Sequence, residues 1–407
     1  MADLPKDALY DILSRLPVES LARFRCVCKP WCNYIDDPYL VSIHVNEPIL
    51  MMLNGECATL PKRPGIVSII ESKEGNTVFE VKQDPIYRFK SKGSQIQDIG
   101  ISNGMILLAQ DDDEFLDDVS FLVIHPLRKE RYELPFLDLQ FPLSCPNAYG
   151  LGFDDSTKTF KVVFLFTRLT SQLDNLCTMV HILGTYLWRK IPQIPECYKM
   201  YGQGVFVKGL LHWVNASSEN EHTDMCKLTY FDVRKEEFGV IDPPPKPTIS
   251  TMDQLVNIND KLGYAYKIDD SVQVWILKHK EWLSYGQFHC APLLSCSYDI
   301  SLRGLGCCNQ DGDLLIRAGK YHDPGRFFIY KLESGDLHEV NINGLEYNSK
   351  IILYQSHLSS TIHYINKMPL PATKIDLIKA TSTRTFLKGF FSLKMLFTST
   401  LLECFDF

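Results

Sequence analysis

Three cysteines crowd one short stretch, Cys26, Cys28 and Cys32, and two more are adjacent at Cys307-Cys308. A structural zinc site, such as a RING, needs Cys or His ligands in pairs at short repeated spacing. No second pair and no histidine accompanies the first group, so helix packing is its expected role. Cys307-Cys308 reads as one buried and one half-exposed strand thiol rather than a redox pair. His181 and His212-Trp213 invite a general-base reading, which needs an orienting carboxylate and a nucleophile alongside. Both fall inside strand-like repeats and are expected to be structural. No glycine-rich phosphate loop, H-E-x-x-H or G-x-S-x-G occurs. The chain is therefore expected to have no catalytic residue, no metal site and no cofactor.

What remains is the chemistry of holding another molecule. Asp111, Asp112, Asp113, Glu114, Asp117 and Asp118 form an acidic run that could capture a basic patch on a protein substrate, or simply be a solvated turn. The polar stretch Asn215 to Asp224 is a second candidate. Asp242-Pro243-Pro244-Pro245-Lys246-Pro247 is a third, stiffened by polyproline geometry, with a rigid connector as the plainer reading. The formal net charge of −7 and the lack of a basic tract argue against a nucleic-acid partner. The N-terminus is charged and has no apolar signal core. Thirteen cysteines without a disulfide spacing suggest reduced thiols and a cytoplasmic or nuclear address.

The elements that would position these groups fall into two textures. Leu9, Ile12, Leu13 and Leu16 stand at i, i+3, i+4 and i+7, one apolar stripe of a helix. Asp3 is expected to cap it, with Pro5 in the first turn. Pro17 opens a second helix that carries Leu21 and Phe24. Pro30 interrupts it, and Trp31, Tyr34 and Ile35 start a third that Pro38 ends. About forty residues rarely bury a sufficient core alone, so this piece is expected to need a partner or a larger body.

From about residue 100 the texture becomes β-like. Strand cores at Phe121–Ile124, Met179–Leu183, Leu228–Phe231, Val272–Ile276 and Phe327–Leu332 recur at roughly 45 to 55 residues. Between them a turn, a glycine and an apolar strand repeat, as in Asn103-Gly104-Met105 and Lys208-Gly209-Leu210. That rhythm suits propeller blades, and leaves a two-sheet sandwich open. After Thr361 the rhythm stops. The apolar stretch Phe386–Leu402 is interrupted by Lys388 and Lys394, which argues against a membrane span.

The N-terminal residues resemble the F-box. Leu4-Pro5-x-Asp7, Ile12-Leu13, Leu16-Pro17-Val18, Ser20-Leu21, Arg23-Phe24-Arg25 and Val27-Cys28-Lys29-x-Trp31 all fall in its register. The later segments resemble the F-box-associated domain of plant F-box proteins. They include Pro126-x-x-Lys129, Gly150-Leu151-Gly152-Phe153-Asp154, Gly209-x-Leu211-His212-Trp213 and Phe231-Asp232, with His125 standing where an Asn is usual.

The resemblance implies an α+β multidomain chain: a small three-helix F-box, then a mainly antiparallel all-β domain, a kelch-like β-propeller. The expected segments are the F-box at 1–45, a linker with first β segments at 46–98, the β domain at 99–360 and an atypical tail at 361–407. By position, Leu4, Pro5, Ile12, Leu13, Leu16, Pro17 and Leu21 would face a Skp1-type adaptor or brace the surface that does. Phe24, Val27 and Trp31 would hold the helices together. The implied role is a non-catalytic substrate receptor of an Skp1–cullin–F-box ubiquitin ligase, holding an unknown protein substrate. The alternative is an F-box adaptor without productive ubiquitination. A propeller enzyme, resting on His212, is the third reading.

Overall fold

The structure, a computed structural model, describes residues 5–44, 48–55, 63–73, 78–90, 93–112, 119–135, 147–167, 176–193, 200–215, 227–247, 251–289, 299–301, 306–309, 311–319, 325–346 and 348–355. The chain divides into two compact units, 1–360 and 361–407, and all described residues belong to the first. The apolar stretch Phe386–Leu402 lies outside them. No described helix is long and apolar enough to cross a membrane.

The helices are α1 (Lys6–Ser14), α2 (Val18–Phe24), α3 (Lys29–Ile35) and α4 (Pro38–Ile43). Pro5, not Asp3, takes the N-cap position of α1, and no side chain caps that end. Pro30 falls in the first turn of α3, where its missing N–H costs nothing. Pro38 does the same for α4, a fourth helix added to the three expected, and Asp37 accepts the Tyr39 N–H at 2.8 Å. Leu13, Val18, Leu21, Ile35 and Leu40 form a small core. Phe24 and Trp31 meet edge-to-face, ring centroids 5.1 Å apart.

Val27 does not hold the helices together: it is 67% exposed, because α2 ends at Phe24 and Val27 falls in the turn beyond. Leu13 and Leu21 are 1% and 0% exposed. They build the module's own core and so brace its surface rather than form it.

Twenty-six described strands form six units, antiparallel within each but for the short β13. The first holds β1 (Ile49–Asn54), β2 (Gly65–Lys73), β3 (Val78–Val81) and β4 (Tyr87–Phe89). The second holds β5 (Gly93–Ser102), β6 (Met105–Asp112), β7 (Val119–His125) and β8 (Glu130–Glu133). The third holds β9 (Ala148–Asp154), β10 (Thr159–Thr167), β11 (Leu176–Ile182), β12 (Trp188–Ile191) and the short β13 (Gly202–Gln203). The fourth holds β14 (Val205–Val207), β15 (Leu210–Val214), β16 (Leu228–Asp232) and β17 (Glu237–Ile241). The fifth holds β18 (Thr251–Ile258), β19 (Lys261–Ile268), β20 (Ser271–Lys278) and β21 (Glu281–His289). The sixth holds β22 (Asp299–Ser301), β23 (Leu314–Gly319), β24 (Arg326–Tyr330) and β25 (Leu337–Asn343).

The last strand, β26 (Lys350–Tyr354), returns to the first unit and pairs with β1, Met51 opposite Ile352. Parallel pairing of β25 with β3 joins the sixth unit to the first.

Packing explains why these strands read as continuous apolar runs. A blade is covered on both faces, so both sets of alternating side chains are buried. Met105, Leu107 and Ala109 of β6 pack toward the third unit, while Ile106 and Leu108 pack toward the first. Each remaining pair of neighbours has its own core: third with fourth, fourth with fifth, fifth with sixth, and sixth with first. The six cores close a ring, which makes the β domain a propeller rather than a sandwich.

The helical module is seated on this ring. Ile49 and Leu127 pack into its core. Asp36 accepts two bonds from Arg25, both 2.8 Å, and lies 3.6 Å from the Arg128 guanidinium. Leu127 and Arg128 belong to a 3-10 turn, Pro126–Arg128, whose N-cap is His125. His125 Nδ1 accepts the Arg128 N–H, so histidine does here what a capping Asn would do.

Candidate functional site

Two surfaces could carry function. On the helical module, Pro5 and Pro17 are exposed, Ile12 is 48% exposed and Leu16 is half-buried. Ile12 is thus an exposed apolar side chain on a module with a small core. The Leu16 carbonyl accepts a 2.8 Å bond from His44 Nε2, which ties the end of this stretch to the end of α4. Leu4 lies outside the described residues.

The second surface is a cavity of about 690 Å³ along the axis of the ring. All six blades reach it: Leu353 and Gln355 from the first, Asp98 to Asn103 from the second, Phe153 and Gln203 from the third, Val205 and Phe206 from the fourth, Leu255 to Asp260 from the fifth, and Gly306 and Cys307 from the sixth. Turns between the first and second strands of several blades rim it. Asn103, Lys208, Asn259 and Asp260 stand there with positive φ, Gly104 and Gly209 beside them. Those Gly- and Asn-rich turns were visible in the sequence as repeats. Their convergence on one mouth was not.

This mouth opens at the end of the ring that carries the helical module. The Asn103-Gly104 turn and the Pro126–Arg128 turn both lie at the same end of the second blade, as antiparallel order requires. Pro48, between α4 and β1, also lines the cavity. The β6–β7 connection leaves from the opposite end. Asp111 and Asp112 close β6, paired with Val119 and Gly93. Asp113, Glu114, Asp117 and Asp118 lie outside the described residues. Asp111 and Asp112 and the Asn103-Gly104 turn that rims the cavity therefore stand at opposite ends of the second blade.

Further along the channel, Asp98 Oδ2 accepts the Gln203 N–H at 3.0 Å and lies 3.5 Å from the Tyr149 hydroxyl. The Gln203 amide lies flat on Gly100, where a Cβ would come within 2.2 Å of Nε2. His212 is buried, and burial holds its pKa down to about 4; its Nδ1 faces the Val205 carbonyl at 3.2 Å. Burial also lowers the pKa of His181, whose Nδ1 faces the Leu187 carbonyl at 3.1 Å. Main-chain carbonyls, rather than carboxylates or nucleophiles, are the recorded partners of both rings.

Asp242 and Pro245 accept bonds from Trp282 and Tyr266, and Lys246 is bonded to Asp253 and Tyr264, so the polyproline run is pinned to the fifth blade. Asn215 bridges Met200, and 216–226 lie outside the described residues. Cys307 is buried and Cys308 half-buried; all six described cysteines are free thiols. Among the described residues no cluster of three or more His, Cys, Asp or Glu could hold a metal.

Residues 1–42 match the F-box domain model, and residues 64–367 match the F-box associated beta propeller domain. The chain belongs to the F-box proteins with an F-box-associated propeller. Its relatives include an F-box protein of Arabidopsis thaliana 29% identical over 281 residues, 65% of this chain and 86% of that one. A second from the same plant is 24% identical over 383 residues, 84% of this chain and 76% of that one. An F-box/kelch-repeat protein, also from Arabidopsis thaliana, is 25% identical over 257 residues, 60% and 66% of the two chains. Among solved structures, an oligogalacturonate lyase from Vibrio parahaemolyticus has a TM-score of 0.41 at 10% identity, over 73% of this chain and 80% of that one. So distant a likeness says nothing about chemistry here. An F-box followed by an F-box-associated propeller is, in general, the make-up of a substrate receptor.

Proposed function

We propose that this F-box protein docks a Skp1-type adaptor through Pro5, Ile12, Leu16 and Pro17 and holds a protein substrate on its propeller for ubiquitination within a cullin-RING ligase. The half-exposed Ile12, on a helix whose leucines, Leu9 and Leu13, turn inward, carries this reading. The mechanism is proximity: holding the target beside a ubiquitin-loaded enzyme turns a rare encounter into an effectively intramolecular one. The receptor supplies position, and the cytoplasm or nucleus is where such a complex would work.

The test is co-purification of the adaptor and cullin with the wild-type chain and with Ile12→Ala/Pro17→Ala. Both positions are exposed, so the variant should melt like the wild type. Loss of adaptor in a folded variant supports the reading. Absence of adaptor from the wild type sinks it, and adaptor without cullin points to an F-box adaptor that does not support ubiquitination.

A further inference from the structure

We propose that the axial cavity binds an extended, unphosphorylated peptide segment of neutral or basic character, taken up along the open inner edges of the blades. The proposal rests on the receptor reading for who supplies the segment, and it names the class of target that reading leaves open.

The first ground is hydrogen-bonding capacity. β5, β14, β18 and β26 each stand last in their sheet, so one edge of each has no strand partner among the described residues. Main-chain N–H and C=O groups along such an edge are obligatory donors and acceptors, and an extended peptide satisfies them by adding as one more strand.

The second ground is a precedent inside the molecule. β13 lies parallel to the inner strand of the third blade, with the Gly202 N–H bonded to the Asn147 carbonyl and the Gly204 N–H to the Tyr149 carbonyl, both at 2.8 Å. Glycine permits the approach. A Cβ on Gly204 would come within 2.5 Å of the Trp213 indole. A piece of extended chain thus already occupies one inner edge; on β14 the Phe206 carbonyl accepts the Asn257 side-chain amide at 3.1 Å, and β5, β18 and β26 carry residues that line the cavity.

The third ground is the wall. Phe153, Val205, Phe206 and Leu255 offer apolar contact beside Asn103, Asn257 and Asn259. A volume of about 690 Å³ lies within the usual range for ligand sites. The charge is the selective element. Among the described residues, Lys208 and Arg234 bring positive charge to the lining, against Asp98, Asp154, Asp155, Asp232 and Asp260. A phosphate or a nucleic-acid strand needs converging cations, and here carboxylates outnumber them.

The experiment uses the purified full-length chain and three fluorescent pools of end-capped random decapeptides: uncharged polar, lysine/arginine-enriched, and phosphoserine-bearing. The uncharged and basic pools should bind, with the phosphoserine pool weaker by roughly tenfold or more. Asp260→Lys should weaken binding of the basic pool relative to the uncharged one. Gln355→Trp, which crowds the mouth, should weaken binding of the uncharged and basic pools alike. A preference for the phosphoserine pool, binding unchanged by both variants, or no binding by the wild type overturns the proposal. Adaptor co-purification runs alongside: adaptor bound without peptide sinks the cavity reading alone, and peptide bound without adaptor sinks the ligase reading alone.

Discussion

The F-box and the blades solve opposite problems with the same few apolar residues. A blade hides the faces of its inner strands against its neighbours, and the apolar side chains it leaves exposed, such as Leu187, Val240 and Leu283, lie on or beside its outer strands. The F-box has five fully buried side chains, borrows Ile49 and Leu127 from the ring, and still leaves Ile12 half in water. A module that must offer a surface cannot also bury it, so its stability is lent by the body it sits on. The loan is electrostatic as well as apolar, through Asp36, Arg25 and Arg128.

The sharpest way to break that contrast is Asp36→Ala. It leaves two guanidinium groups in a site where the Asp36 and Arg128 side chains are each 7% exposed. Removing one member of such a set costs about 3–5 kcal/mol. Urea unfolding followed by limited proteolysis should show the F-box opening first, with the propeller transition unmoved. A single shared transition would mean the two regions are one cooperative body.

Ile352→Ala tests the other side. Ile352 is 1% exposed on the closing strand, and a buried Ile→Ala change costs about 2–5 kcal/mol. Circular dichroism melting should show the propeller transition shifting as a whole, because β26 completes the first blade.

A smaller effect sits at the joint. Burial, then the charges of Arg128 and Arg25, hold the His125 pKa down to about 3 from 6.5. A histidine with a depressed folded pKa contributes fully above about 6.5. That contribution falls as pH drops toward 3, because the unfolded chain takes up the proton first. Denaturation midpoints measured across this window should fall with pH. His125→Asn, which can still cap the turn, should flatten part of the fall; an unchanged profile would remove His125 from the joint's energetics. Smallest of all is Val27→Ala, expected within 0.5 kcal/mol of wild type by the same melts, as its exposure requires.

Much of this was legible in the residues. The recurring turn–glycine–strand pattern located the strands, because runs such as Met105–Leu108 admit no surface face. The F-box register placed the helices. What the pattern could not give was direction. Leu13 and Leu21 look like Ile12 and Leu16 in a stripe, and only packing decides which leucine turns inward. The cavity was invisible because its wall is assembled from residues of six distant segments, several of them on inner strand edges that no periodicity marks. The acidic run drew attention as composition, yet its strand leads away from the cavity mouth.

The pairing of β1 with β26 also sets an order of synthesis. Their partners lie roughly three hundred residues apart, so at about 5–20 residues per second the first blade waits tens of seconds for its closing strand. The F-box and its docking turn at Leu127–Arg128 leave the ribosome long before that. During translation the chain can therefore present its N-terminal helices on a seat already made, while β1 still has an open edge, a template for wrong pairing.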